Sequence, residues 1–236
     1  MNIPCAVTRF GRFVNDLTFG ADLNRLRGVI HRFPNSSNEI CLTFNDGPSG
    51  YSTSRILDCL GKHEVHATFF CTGLQAQENP DLLRDILSAG HQVGSHSMTH
   101  PHFHQSPVPL VYREMSRSRT VLEQIGKSPV RLFRAPYGSF SWEVRPIGIL
   151  IGMPYLIGWD IAPKAECAEE AADFILKETT PGSIILLRDG AADLETELSA
   201  QISRSAAQVI EIAIPKLLDK GFVFKTVGEQ LARPNH

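Results

Sequence analysis

Asp46, His96 and His100 are the residues around which chemistry in this chain can be built. Asp46 follows a short apolar run, Ile40 to Phe44, and precedes Gly47-Pro48, so it is expected where a strand breaks into a tight turn. His96 and His100 lie four residues apart in Gly94-Ser-His-Ser-Met-Thr-His100, a spacing that one helical turn would bring to one side. One carboxylate and two imidazoles are the ligand set of an open zinc-type site, with a position left for water. The histidine pair alone is a weak signal. Joined to a carboxylate at a strand end it becomes a strong one.

Ligands this far apart need a fold that gathers them. The pattern predicts strands at 40–44, 67–71, 92–95, 131–133, 155–159, 183–187 and 222–225, alternating with helices at 54–60, 79–89, 111–125, 142–149, 168–177 and 198–220. A short C-terminal helix is expected after the last strand, and Pro215 should kink or restart the long helix that contains it. The strands are too continuously apolar for a half-exposed sheet, which argues for parallel strands buried on both faces. Asp46, His96, Arg134, Asp160 and Arg188 each fall at or just beyond a predicted strand end. A barrel gathers such ends into one mouth, which favours a barrel over an open sheet.

Composition narrows the class. The 236 residues suit one barrel-sized domain, and 42% apolar content supplies a core. A formal charge of −2 gives no reason to expect nucleic acid as a partner. No apolar run approaches the ~18 residues of a membrane span, and Met1 to Gly20 lacks the apolar segment of a secretory signal, so a cytoplasmic location is expected. The five cysteines show no metal-binding spacing and read as reduced thiols, with Cys41, Cys59 and Cys71 inside apolar patterns. Residues 1–37 form an N-terminal extension expected to pack on a barrel of residues 38–236. It carries five arginines, and Leu23, Leu26 and Ile30 are spaced for a short helix.

From Asn38 to Ala232 the chain resembles the polysaccharide deacetylases of the NodB-homology group, carbohydrate esterase family 4. The resemblance rests on five motifs in order: Thr43-Phe-Asn-Asp-Gly-Pro48, His96-Ser-Met-Thr-His100, Arg134-Ala-Pro-Tyr137, Trp159-Asp-Ile-Ala-Pro-Lys-Ala-Glu166 and Leu186-Leu-Arg188. It implies a distorted (β/α)7 barrel and hydrolysis of the N-acetyl amide of an amino sugar. It also implies a divalent metal, zinc first with cobalt, nickel or manganese as alternatives, on Asp46, His96 and His100. Pro136, Tyr137, Trp159 and Leu186 fall on the substrate side: Tyr137 matches the backbone N–H that holds the oxyanion, and Leu186 the wall of the acetyl pocket.

Three motifs depart from the family pattern. The base position holds Asn45, an amide that cannot take a proton at neutral pH. The acid position holds Arg188, whose guanidinium stays charged. In the fourth motif Ala162 and Ala165 replace aspartates and Glu166 a tryptophan, while Asp160 precedes the first of those positions and does not fill it. Arg134 has lost the carboxylate it pairs with in the family. His102, His104 and Glu166 are candidate substitutes, whereas the Asp189 carboxylate is expected to turn away from the mouth. Three readings follow. One is a metal-dependent hydrolase of N-acetylated sugars with weak or altered activity. The second is a silent barrel that binds metal and carbohydrate, and the third a small-molecule amidase using the same metal.

Overall fold

Glu39–Asn45 is buried at every residue, as an apolar run must be when both faces of its strand are covered. This strand, β2, pairs with three others in the sheet. The computed structural model describes residues 28–34, 37–164, 167–190 and 197–232. Around β2 lie β1 (Val29–Ile30), β3 (Thr68–Cys71), β4 (Gln92–Ser95), β5 (Leu132–Phe133), β6 (Tyr155–Ile157), β7 (Ile184–Arg188) and β8 (Val223–Phe224). The order is β1-β6-β5-β4-β3-β2-β7, with β8 also on β2, and every named pairing is parallel. A parallel bridge between Ile161 and Ile185 ties the chain after β6 to β7, so the curled sheet meets itself. This is the distorted (β/α)7 barrel expected from the sequence.

Helices α1 (Gly50–Lys62), α2 (Gly73–Glu78), α3 (Pro80–Ser88), α4 (Val108–Gly126), α5 (Val144–Leu150), α6 (Ala168–Glu178), α7 (Glu197–Asp219) and α8 (Val227–Leu231) connect the strands. Their apolar stripes meet the outer face of the sheet: Ile56 and Leu60 of α1, and Val111, Met115 and Leu122 of α4, are buried in the main core. Helix α3 starts at Pro80, where the missing N–H costs nothing. The short α2 was not foreseen. Its N-cap Thr72 accepts a hydrogen bond from the Gln75 backbone, a local signal easily lost between strand and proline.

One expectation needs correction. Ile30 is not helical: β1 pairs Val29 with Leu156 and Ile30 with Ile157, which brings part of the expected extension into the sheet. Leu23 and Leu26, like the rest of residues 1–27, lie outside the described residues. Helix α7 contains Pro215 and continues beyond it to Asp219, so of the kink or restart expected there it shows no restart. Among the described residues no helix is long and apolar enough to cross a membrane.

Candidate active site

The ligand turn forms where β2 runs out. Asp46 has φ 77° and is followed by a cis Gly47-Pro48 bond. Gly47 is required by a close approach: a Cβ there would come 2.1 Å from the Asp189 carboxylate. That carboxylate accepts the Gly47 N–H at 3.1 Å and the Thr53 hydroxyl at 2.7 Å. As expected, Asp189 turns from the mouth while its neighbour Arg188 faces it. Burial, opposed by those hydrogen bonds and reinforced by the Asp46 charge, pushes the Asp189 carboxyl up to about 7.

The two histidines do not share a helical turn. Residues 96–100 are loop, with Ser97 at φ 69° and His100 at φ 61°, and these two left-handed residues fold His100 back toward His96. Such conformations cost free energy and persist only where the surroundings hold them. Here Ser97 Oγ accepts the His100 N–H at 3.0 Å. The buried Glu114 of α4 accepts the N–H groups of Met98 and Thr99 at 3.0 and 2.7 Å, and the Thr99 hydroxyl at 3.1 Å. Glu114 is the residue sequence reasoning missed. Its position beside Met115 in the apolar stripe of α4 was the available signal, since a carboxylate so placed must find donors.

His96 Nε2 and His100 Nε2 lie 3.2 and 3.3 Å from Asp46 Oδ1, with all three residues buried. These groups fit a divalent cation. His96 Nδ1 is 2.7 Å from the Arg134 carbonyl, which can only accept, so Nδ1 carries the proton and Nε2 presents a lone pair. Both Asp46 oxygens are buried and accept no hydrogen bond. Lone pairs this close repel unless a proton or a cation lies among them, and the cluster offers one ligand atom from each residue.

Asn45 and Arg188 flank this cluster. Arg134 is fully buried, and its Nη1 donates to Asn45 Oδ1 at 2.9 Å and to Thr43 Oγ1 at 2.8 Å. Its Nε and Nη2 donate to the Ile157 and Gly158 carbonyls at 3.1 and 2.7 Å, and its guanidinium lies 4.0 Å from the Phe70 ring centroid. Burial pulls the Arg134 pKa down to about 9, against the raising effect of nearby Cys41 and Asp46. Since guanidinium only donates, the amide atom facing it must be oxygen. Asn45 Nδ2 therefore points inward, 3.3 Å from His96 Nε2. Arg188 Nη1 is 3.4 Å from Asp46 Oδ2.

Asp160 does not join this cluster. Its carboxylate accepts from Ile184 N at 2.6 Å and Ser183 Oγ at 3.0 Å and lies 3.7 Å from Arg32. It therefore sits at the start of β7, while Arg188 ends that strand. Tyr137, with φ 54°, stacks on His102 at 3.6 Å between ring centroids and tilts over His100 at 4.5 Å. His104 Nδ1 lies 2.8 Å from Ser139 Oγ. Pro136 is buried, the Trp159 ring centroid lies 5.7 Å from the Arg134 guanidinium, and Leu186 is half-buried on β7. Ala165 and Glu166 lie outside the described residues.

The fold and the cluster together define a parallel α/β barrel with a candidate metal centre at its mouth. The family described as polysaccharide deacetylase matches residues 33–156, and the chain belongs to that family. It is 32% identical over 206 residues to a chitooligosaccharide deacetylase of Sinorhizobium fredii, covering 85% of this chain and 95% of that one. A solved peptidoglycan N-acetylglucosamine deacetylase superposes with a TM-score of 0.80 at 23% identity, covering 89% and 95% of the two chains. The Bacillus anthracis protein BA3943, described as a pseudoenzyme of carbohydrate esterase family 4, superposes with a TM-score of 0.74 at 25% identity, covering 86% of this chain and 68% of that one.

Proposed function

We propose that this chain binds a divalent ion, zinc in the first instance, on Asp46, His96 and His100. Next to that ion it acts on the N-acetyl amide of an amino sugar with turnover far below that of a site equipped with base and acid. The observation that carries the reading is the convergence of Asp46 Oδ1 with two imidazole Nε2 atoms at 3.2 and 3.3 Å, one of them tautomerically fixed by the Arg134 carbonyl. When bound, such an ion supplies Lewis acidity toward an amide and makes a water more acidic. The chain's own residues then do unequal work. Arg134 fixes Asn45, Asn45 offers a hydrogen-bond donor and no proton acceptor, and Arg188 places a permanent positive charge where departing amine would need a proton.

A second reading, binding without turnover, is favoured by the same inward Nδ2 of Asn45. The parallel is BA3943, a pseudoenzyme of which a mutant with restored enzymatic activity has been solved. That mutant superposes on this chain with a TM-score of 0.74 at 26% identity.

The test is acetate release from N-acetylglucosamine oligomers and from a panel of small amides, with zinc or cobalt added, beside an Asp46→Ala control. Metal-dependent release from the sugar that Asp46→Ala abolishes supports the first reading. Saturable sugar binding without release supports the second, and release from small amides alone replaces the sugar by another amide.

A further inference from the structure

The polarity of the groups around the candidate ion is opposite to what hydrolysis requires. Asn45 is 6% exposed, and Arg134 holds its oxygen so that Nδ2 faces the lone pair of His96 Nε2. Once that lone pair is given to an ion, a buried N–H group loses its acceptor and needs an oxygen from elsewhere. On the other side, Arg188 brings a permanent cation to 3.4 Å from Asp46 Oδ2, and a third of its side chain stays in solvent, so a ligand can reach it. A divalent ion on Asp46 repels this guanidinium and takes over its partner. Two donors then face the mouth, one of them a planar fork that matches the two oxygens of a carboxylate.

We infer that Asn45 and Arg188 make this mouth a site for a carboxylate-bearing ligand that binds together with the divalent ion, with Arg188 coupling the two. The inference rests on the ion site proposed above. Coupling of this kind is reciprocal: the ion strengthens carboxylate binding by the factor by which the carboxylate strengthens ion binding. The ligand is either a free carboxylate or one carried on a sugar, and neutral amides gain nothing from Arg188.

Titration calorimetry on the full chain tests this with zinc, acetate, glucuronate and neutral acetamide. Acetate or glucuronate is expected to bind about tenfold tighter to zinc-loaded than to zinc-free protein, with acetamide showing no such gain. Zinc should gain the same factor in saturating acetate. Arg188→Ala should abolish the coupling and tighten zinc binding in the absence of anion, because a competing cation is gone. Arg188→Lys, which keeps the charge but loses the fork, should retain part of it and serves as the folding control. Stronger coupling with acetate points to a free carboxylate, and stronger coupling with glucuronate to an acidic sugar. Zinc-loaded wild type and Arg188→Ala with equal acetate affinity would overturn the inference and leave the ion site standing. A wild type that takes up no zinc overturns both.

Discussion

Replacing Asn45 by aspartate tests whether the missing base limits this site. Arg134 Nη1 already donates to the Asn45 oxygen at 2.9 Å, so the new carboxylate inherits a placed, charge-assisted partner. Its second oxygen takes the place of Nδ2, 3.3 Å from His96 Nε2, and turns a donor into an acceptor without repacking. Burial pulls the Arg134 pKa from its ordinary value down to about 9, which corresponds to roughly 5 kcal/mol of unfavourable desolvation as an upper bound, at 1.36 kcal/mol per unit. A carboxylate in contact would offset part of it. A general base contributes about 10²–10⁴-fold, or roughly 2.7–5.5 kcal/mol of barrier. The low end is expected for Asn45→Asp alone, because Arg188 still occupies the acid position. Asn45→Asp with Arg188→His should exceed either single change. The assay is acetate released from chitin oligomers with zinc or cobalt present, with metal content measured in parallel. If the double variant folds and binds metal yet releases no more acetate than wild type, the missing base and acid are not the cause. The substrate is then not an N-acetylated sugar polymer.

Other predictions concern the parts that hold the site. His96→Ala should lower the metal bound per purified chain, and equal metal content by elemental analysis would sink the ligand assignment. Glu114→Ala leaves three donors without their acceptor, each at about 1–3 kcal/mol if none finds water. Denaturant midpoint and zinc affinity should therefore fall together, and a loss of stability with unchanged zinc affinity would show that the loop does not set the ligands. Asp189, with its folded carboxyl pushed up to about 7, binds a proton that the unfolded chain has already released above about pH 4. Between about pH 4 and 7 it should therefore cost stability progressively, by at most ~4 kcal/mol. Asp189→Asn should flatten that decline in chelator-treated protein, and identical pH–stability curves would refute the account.

The ligand types and the alternation of strand and helix were legible in the chain, because each follows from residue type and short-range periodicity, whereas Asn45 and Arg188 stood out only through the resemblance of their motifs to the polysaccharide deacetylases. The apolar run before Asp46 has one good solution, a strand covered on both faces, and such strands form a parallel α/β fold. The spacing of His96 and His100 suggested a helical turn, and there local reasoning fails. Their convergence comes from two left-handed residues in a loop held by Ser97 Oγ, by the distant Glu114 carboxylate and by the Gly73 and Leu74 N–H groups, which donate to the Ser97 and Met98 carbonyls. Asp160 looked equivalent to the other strand-end residues, yet its carboxylate bonds the backbone where β7 begins, a partner 24 residues away in sequence. The direction of the Asn45 amide is the clearest case. Sequence specifies an amide, but only the carbonyls, ring and hydroxyl around buried Arg134 fix that guanidinium, and because it can only donate, the Asn45 nitrogen must face the histidines.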